Sequence, residues 1–199
     1  MKKTLLVAGL AMLAACSGSW ETNFDAPLDA AVTRGWDLDR VAVTVPDALT
    51  VTEENSFAPN ADIVWHGDPL GDRKAQVAAI MQEGIAQGAR GLRGRQDVVF
   101  NVTVVEFHAL TPKARAEAPS AVHNITYDIV VTDSRTGEAL TEPKRIRADL
   151  PAFTGAAAFD ALKEGRTQKI RITEHLNRVT LGWLGLGPDP RQVFSSAGR

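Results

Sequence analysis

Two long segments, Asp97 to His108 and Ala121 to Asp133, are rich in valine, isoleucine, threonine and aromatics, and they set the terms for the rest of the chain. Each alternates with a period of two, so Val98, Phe100, Val102 and Val104 share one face of the first, and Ile125, Tyr127, Ile129 and Val131 one face of the second. That pattern predicts half-buried strands whose apolar faces need a cover. The segment between them carries Pro112, Lys113, Arg115, Glu117 and Pro119 and reads as a charged, flexible linker. Asp133, Ser134, Arg135, Thr136 and Gly137 have turn chemistry and return the chain into a third strand from about Glu138 to Asp149. Three strands so connected predict an antiparallel meander.

The cover is supplied by helices. Val77, Ile80, Met81, Gly84, Ile85 and Gly88 fall at i, i+3, i+4, i+7, i+8 and i+11, one face of a helix that starts near Asp72 and ends near Arg90. Those two charges complement the helix dipole. A glycine costs about 1 kcal/mol relative to alanine in a helix interior, so Gly84 and Gly88 on the apolar face predict a close backbone approach to the sheet. A short alanine-rich helix over Ala156 to Lys163 follows, then a longer one over Thr167 to Trp183 with Ile172, Leu176, Val179 and Trp183 aligned. Upstream, Asp39 to Val45 alternates as a strand that Pro46 ends, and Ile63, Val64 and Trp65 form a brief edge strand or extended piece before a turn. The fold class is α+β: an antiparallel or mixed sheet of about four strands with helices packed on one face. Residues 38–184 form the single domain, and the glycine- and proline-containing segment 185–199 is expected to be a flexible tail.

The start of the chain has a different character. Met1, Lys2 and Lys3 precede an apolar run from Thr4 to Leu13, well short of the roughly 20 residues that span a bilayer as a helix. Leu13, Ala14, Ala15 and Cys16 then resemble the bacterial lipobox, with cleavage between Ala15 and Cys16 and acylation of Cys16. Residues 1–15 are therefore the signal peptide, and 16–37 the lipidated cysteine and its tether. Cys16 is the only cysteine, so export leaves no stray thiol and no disulfide partner. Several acyl chains hold a protein durably where one alone does not. Ser17 in the position after the cysteine favours the outer over the inner membrane by analogy with enteric bacteria.

Loss of Lys2 and Lys3 with the leader lowers the formal charge from −2 to −4. A mildly acidic chain is poorly suited to nucleic acid, where phosphate neutralisation dominates binding. Basic groups do gather at Arg90, Arg93 and Arg95, at Lys144, Arg145 and Arg147, and at Lys163, Arg166, Lys169 and Arg171. With Asp97, Glu142 and Glu164 among them, they read as solvated flanks.

On the segment Val64, Trp65, His66, Gly67, Asp68 and Pro69, a strand like Asp97 to Phe107 and a turn like Thr132 to Glu138, the chain resembles a family of uncharacterised alphaproteobacterial lipoproteins. That family brings no activity with it. The element order is also similar to small envelope lipoproteins that accompany exporters and surface-polymer secretion systems, a likeness of topology alone.

Catalytic signatures are sparse. His66, His108, His123 and His175 lack the spacing of a metal site, so no metal and no cofactor is expected. His108 and His123 fall near the facing ends of neighbouring strands, which could bring them close. Gly88, Gly91 and Gly94 follow a helix and do not match a nucleotide loop, and no GxSxG elbow occurs. The sequons at Asn101 and Asn124 lie within strands. The best polar constellation is His66, Asp68, Asp72 and Arg73, where a base, two carboxylates and a helix N-terminus meet; Asp68 and Asp72 also suit plain capping of the turn and helix. The reading is thus a non-enzymatic, lipid-anchored envelope module that faces the periplasm and binds or assembles with an envelope protein. The alternatives are a small hydrolase or ligand-binding enzyme around His66 and Asp68, or a carrier of lipid between helices and sheet.

Overall fold

The structure is a computed structural model that describes residues 19–195. Its elements run β1 (Ser19–Asn23), α1 (Ala30–Thr33), β2 (Trp36–Thr44), β3 (Ile63–Val64), α2 (Arg73–Ala89), β4 (Gln96–His108), α3 (Pro112–Glu117), β5 (Ala121–Asp133), β6 (Lys144–Ala148), β7 (Leu150–Ala152), α4 (Gly155–Lys163), α5 (Gln168–Trp183) and β8 (Gln192–Ser195). The strands form one mixed sheet of eight, ordered β2-β4-β5-β6-β1-β8, with β3 also against β4 and β7 also against β5. This corrects the expectation of about four strands.

The meander is present: β4, β5 and β6 pair antiparallel. The mixed character arises at one edge, where β2 and β3 run parallel to β4. Parallel neighbours need a crossover, and α2 lies between these strands and β4 in the chain. The expected third strand over Glu138 to Asp149 is instead an isolated bridge at Ala139 followed by β6 and β7. Pro151 within β7 lacks a ladder donor, which suits a short strand at a sheet margin.

One face of the sheet is apolar and covered. Val98, Phe100, Val102 and Val104 of β4 and Ile125, Tyr127, Ile129 and Val131 of β5 are all buried, in a core shared with Val77, Ile80, Met81 and Ile85 of α2 and Ile172, Leu176, Val179 and Trp183 of α5. Phe107 joins the same core although it breaks the even-numbered run, because the β4–β5 register shifts between Val104 and Glu106. A bulge there moves later side chains to the opposite face. Phe100 meets Trp183 edge-on at 6.2 Å, and Trp65 meets Phe107 at 5.9 Å. The other face is polar, held by pairs such as Arg145 with Asp128 and Arg147 with Glu21.

The glycines of α2 do mark a close approach, but the partner is a helix rather than the sheet. A Cβ on Gly84 would lie 2.6 Å from Leu176 Cβ, and one on Gly88 2.6 Å from both Asn177 O and Thr180 Cβ, all on α5. Three other segments carry more structure than their sequences suggest. The charged linker holds α3, whose first turn is capped by Thr111 Oγ1 accepting from Ala114 N at 3.0 Å. The expected tether contributes β1 and α1. The expected tail contributes β8, which pairs with β1 from Ser19↔Ser195 to Thr22↔Gln192. Each depends on a partner distant in sequence, which local patterning does not reveal. Among the described residues no helix is long and apolar enough to cross a membrane.

Candidate functional site

The turn between β3 and α2 brings the predicted residues together. Trp65 is fully buried, and its indole N–H donates to Asp68 Oδ2 at 2.9 Å. Gly67 is required beside it, since a Cβ there would fall 2.3 Å from the Trp65 ring. Asp72 caps α2 by accepting from Ala75 N at 3.0 Å. Arg73, only 6 % exposed, is the hub: its Nη1 donates to the carbonyls of Asp68 and Pro69, both at 3.1 Å, and to Gln76 Oε1 at 2.8 Å.

Two members of this cluster escape local reading. Glu53 takes a two-pronged bond from Arg73, at 2.7 Å from Nε and 3.0 Å from Nη2. Lys169 of α5, grouped above with solvated flanks, places its ammonium 2.8 and 3.1 Å from the two Asp68 oxygens. Acid–base alternation marked neither, because they lie 20 and 101 positions away from their partners.

The electrostatics follow from these contacts. Burial pushes the Asp68 carboxyl upward, but hydrogen bonds from Lys169 and Trp65 outweigh it and leave the pKa below the usual aspartate value. The hydrogen bond from Arg73 lowers Glu53. Burial lowers His66, and Glu53, whose Oε2 is 3.9 Å from His66 Nδ1, offsets part of that. His66 Nε2 is buried without a partner. With Asp68 and Arg73 fully engaged and Asp72 occupied as a cap, the arrangement clamps the Glu53 loop, the turn and the first turns of α2 and α5 together.

The remaining histidines separate. His108 lies opposite Asn124 in register, so its neighbour His123 projects from the other face of the sheet. The two strand-end histidines therefore do not meet. The His108 ring bonds the Ala61 carbonyl instead, while His123 is buried beside α5. His175 Nε2 is 3.2 Å from Thr22 Oγ1, which in turn donates to Asp149 O at 2.9 Å. The Asp149 carboxylate accepts from Glu21 N and Ile125 N, and burial raises its pKa. Thr22, His175 and Asp149 are nearly solvent-free and tie β1 to α5. Among the described residues no three His, Cys, Asp or Glu side chains gather as a metal site. Ala15 and Cys16 lie outside the described residues.

The molecule is thus a helix-covered mixed sheet with a charged clamp at the entry to its main helix. The chain belongs to a protein family of unknown function (DUF6778), whose model matches residues 36–199. Comparison with curated proteins finds no match. Among solved structures, a "putative lipoprotein" from Caulobacter crescentus CB15 is similar at 12% identity and TM-score 0.33, covering 54% of this chain and 83% of that one. The PelC dodecamer from Paraburkholderia phytofirmans is similar at 13% identity and TM-score 0.33, covering 82% of this chain and 96% of that one.

Proposed function

We propose that the protein is a lipid-anchored module of the bacterial envelope that works by contact with another envelope component. The observation that carries the reading is Leu13-Ala14-Ala15-Cys16 at the end of a short apolar run behind Lys2 and Lys3. The position of β1 supports a close attachment: the strand begins at Ser19, and three residues from Cys16 span at most about 11 Å. In this reading the sheet edge formed by β1 and β8 stands next to the membrane, and Ser17 favours the outer membrane.

The clamp fits the same reading, because its carboxylates and guanidinium are committed to folding contacts. A His66-centred enzyme has one feature in its favour, the unpartnered Nε2. The carrier reading needs space between helices and sheet, where Trp65, Trp183, Phe100 and Ile80 leave almost no exposed surface.

The test is labelling of growing cells with radioactive palmitate, followed by membrane fractionation on a density gradient and in-cell crosslinking. The wild type should carry label, sediment with outer membranes and yield a crosslinked protein neighbour. Cys16→Ser should lose the label. Wild-type protein without label, or released with the soluble fraction, overturns the anchor; a labelled protein without any neighbour overturns the contact role.

A further inference from the structure

Helices α3, α4 and the start of α5 surround a small cavity that uses none of the clamp's own side chains. Its free space is about 20 Å³, room for a water or a single oxygen of a larger group. Arg115, Arg166, Arg171, His123, Gln168 and Phe153 are among its lining residues, and no carboxylate is.

Two buried polar side chains are left incomplete there. His123 is 1 % exposed, and neither ring nitrogen has a hydrogen-bond partner. Burial, reinforced by the charge of Arg171, keeps its pKa at about 3, so the neutral ring offers one N–H and one lone pair. Gln168 donates from Nε2 to Leu110 O at 3.4 Å, while its Oε1 is buried without a partner. Native proteins seldom leave such atoms unfilled.

The rim carries surplus positive charge. Arg171 stacks on Phe153 at 3.7 Å and donates to Pro151 O at 2.8 Å, but no carboxylate pairs with it. Arg166 and Arg178 push against its charge, and Glu174 only partly offsets them. Arg115 bonds Thr111 O through its backbone N–H, and its guanidinium has no hydrogen-bond or ion-pair partner among the described residues. Arg166 shares its charge with Glu164 and lies 5.5 Å from the Phe153 ring.

We propose that this cavity binds a phosphate monoanion, with Arg115, Arg166 and Arg171 at its mouth and one phosphoryl oxygen inside between His123 and Gln168. The guanidinium groups supply the planar donors that phosphate recognition uses. A protonated phosphoryl oxygen gives a hydrogen to Gln168 Oε1 and accepts the His123 N–H, so it satisfies Gln168 and one of the two unpartnered His123 nitrogens. An ionised carboxylate has no hydrogen to give Gln168. Either inorganic phosphate or a phosphomonoester headgroup carries this chemistry. The second source has a path for its chain, because an adjoining groove of about 270 Å³ shares Arg115, Ala158 and Leu162 with the cavity and exposes Phe159.

The experiment is nuclear magnetic resonance titration of the full chain in detergent, following the His123 imidazole nitrogens, with inorganic phosphate in one arm and dihexanoyl phosphatidic acid in the other. Saturable shifts are expected, weakened about tenfold or more in Arg115→Glu and in Arg166→Glu, since a hydrogen bond to a charged group is worth that much. Equal affinity in the two arms identifies free phosphate as the ligand, and tighter binding of the lipid identifies the headgroup. No saturable shift in the folded wild type with either ligand overturns the proposal, as does binding that both substitutions leave unchanged. The Arg115 guanidinium has no ion pair to lose, and a thermal midpoint close to that of the wild type is required of each variant before affinities are compared.

Discussion

Replacement of Gly88 by alanine tests whether the contact of α2 with α5 is as close as its geometry implies. Alanine is favoured over glycine in a helix interior by about 1 kcal/mol, which alone would stabilise the variant. The added Cβ would sit 2.6 Å from Asn177 O and from Thr180 Cβ, neither of which can rotate away. Ordinary contact needs close to a further ångström, so the helices must move apart and loosen the Ile85 and Leu176 packing beside them. Overpacking of this kind costs about 1–3 kcal/mol. The upper end applies, because both obstacles are backbone or Cβ atoms, and the net loss is about 2 kcal/mol. For a domain of this size that lowers Tm by about 4–8 °C. Gly91 is the control, since nothing lies within 4 Å of its Cβ position. Thermal and urea unfolding of Gly88→Ala, Gly91→Ala and the wild type decide the matter. If Gly88→Ala matches or exceeds the wild type, the close-approach argument fails.

Three further outcomes are expected. Asp68→Ala should lower stability by about 1–3 kcal/mol in urea unfolding, because it leaves the Trp65 N–H buried and unpaired and frees Lys169; an unchanged midpoint would refute the clamp. Gly94→Ala should be worse than Gly88→Ala, as the new Cβ would fall 2.0 Å from the Gly35 backbone, and soluble expression of a stable variant would contradict it. Stability should fall between pH 6.5 and 5, because His123 and His175 are held near pKa values of about 3 and 4 by burial. The unfolded chain takes up protons below its own value near 6.5 while the folded chain does not, a loss of up to about 2 kcal/mol per histidine by pH 5. Asp149, raised by burial, works in the opposite sense, contributing stability at low pH that is lost as pH rises through its folded value. Urea midpoints at pH 7 and pH 5 measure the balance, and equal midpoints would refute it.

The parts of the fold that could be read from sequence are those where the pattern is local. The α2 face from Val77 to Gly88 and the β5 face from Ile125 to Val131 came directly from periodicity, and both are buried as their spacing requires. β1 and β8 could not be read in this way. Ser19–Asn23 and Gln192–Ser195 are short, mixed in polarity and stabilised by each other, so neither is a strand until the other is present. The site divides likewise. Asp68 and Asp72 announce themselves by their place in the turn, whereas Glu53 and Lys169 reach it through folding. The arginine-rich cavity was hidden for a further reason: among the basic residues at the start of α5, sequence does not distinguish Arg171, stacked on Phe153, from Lys169, which reaches Asp68.

The location of β1 between β6 and β8 also sets the order of assembly. Thr22 pairs with Ala148 and Gln192, so the first strand of the domain joins partners found only near its end. The local pairs, β4 with β5 and β5 with β6, close short loops, while β1 must close loops spanning most of the chain, at an entropic cost that grows with loop length. Nucleation therefore belongs to the meander, and docking of β1 is a late event. A chain emerging from its amino end would hold that first strand unpaired until nearly all the rest had followed.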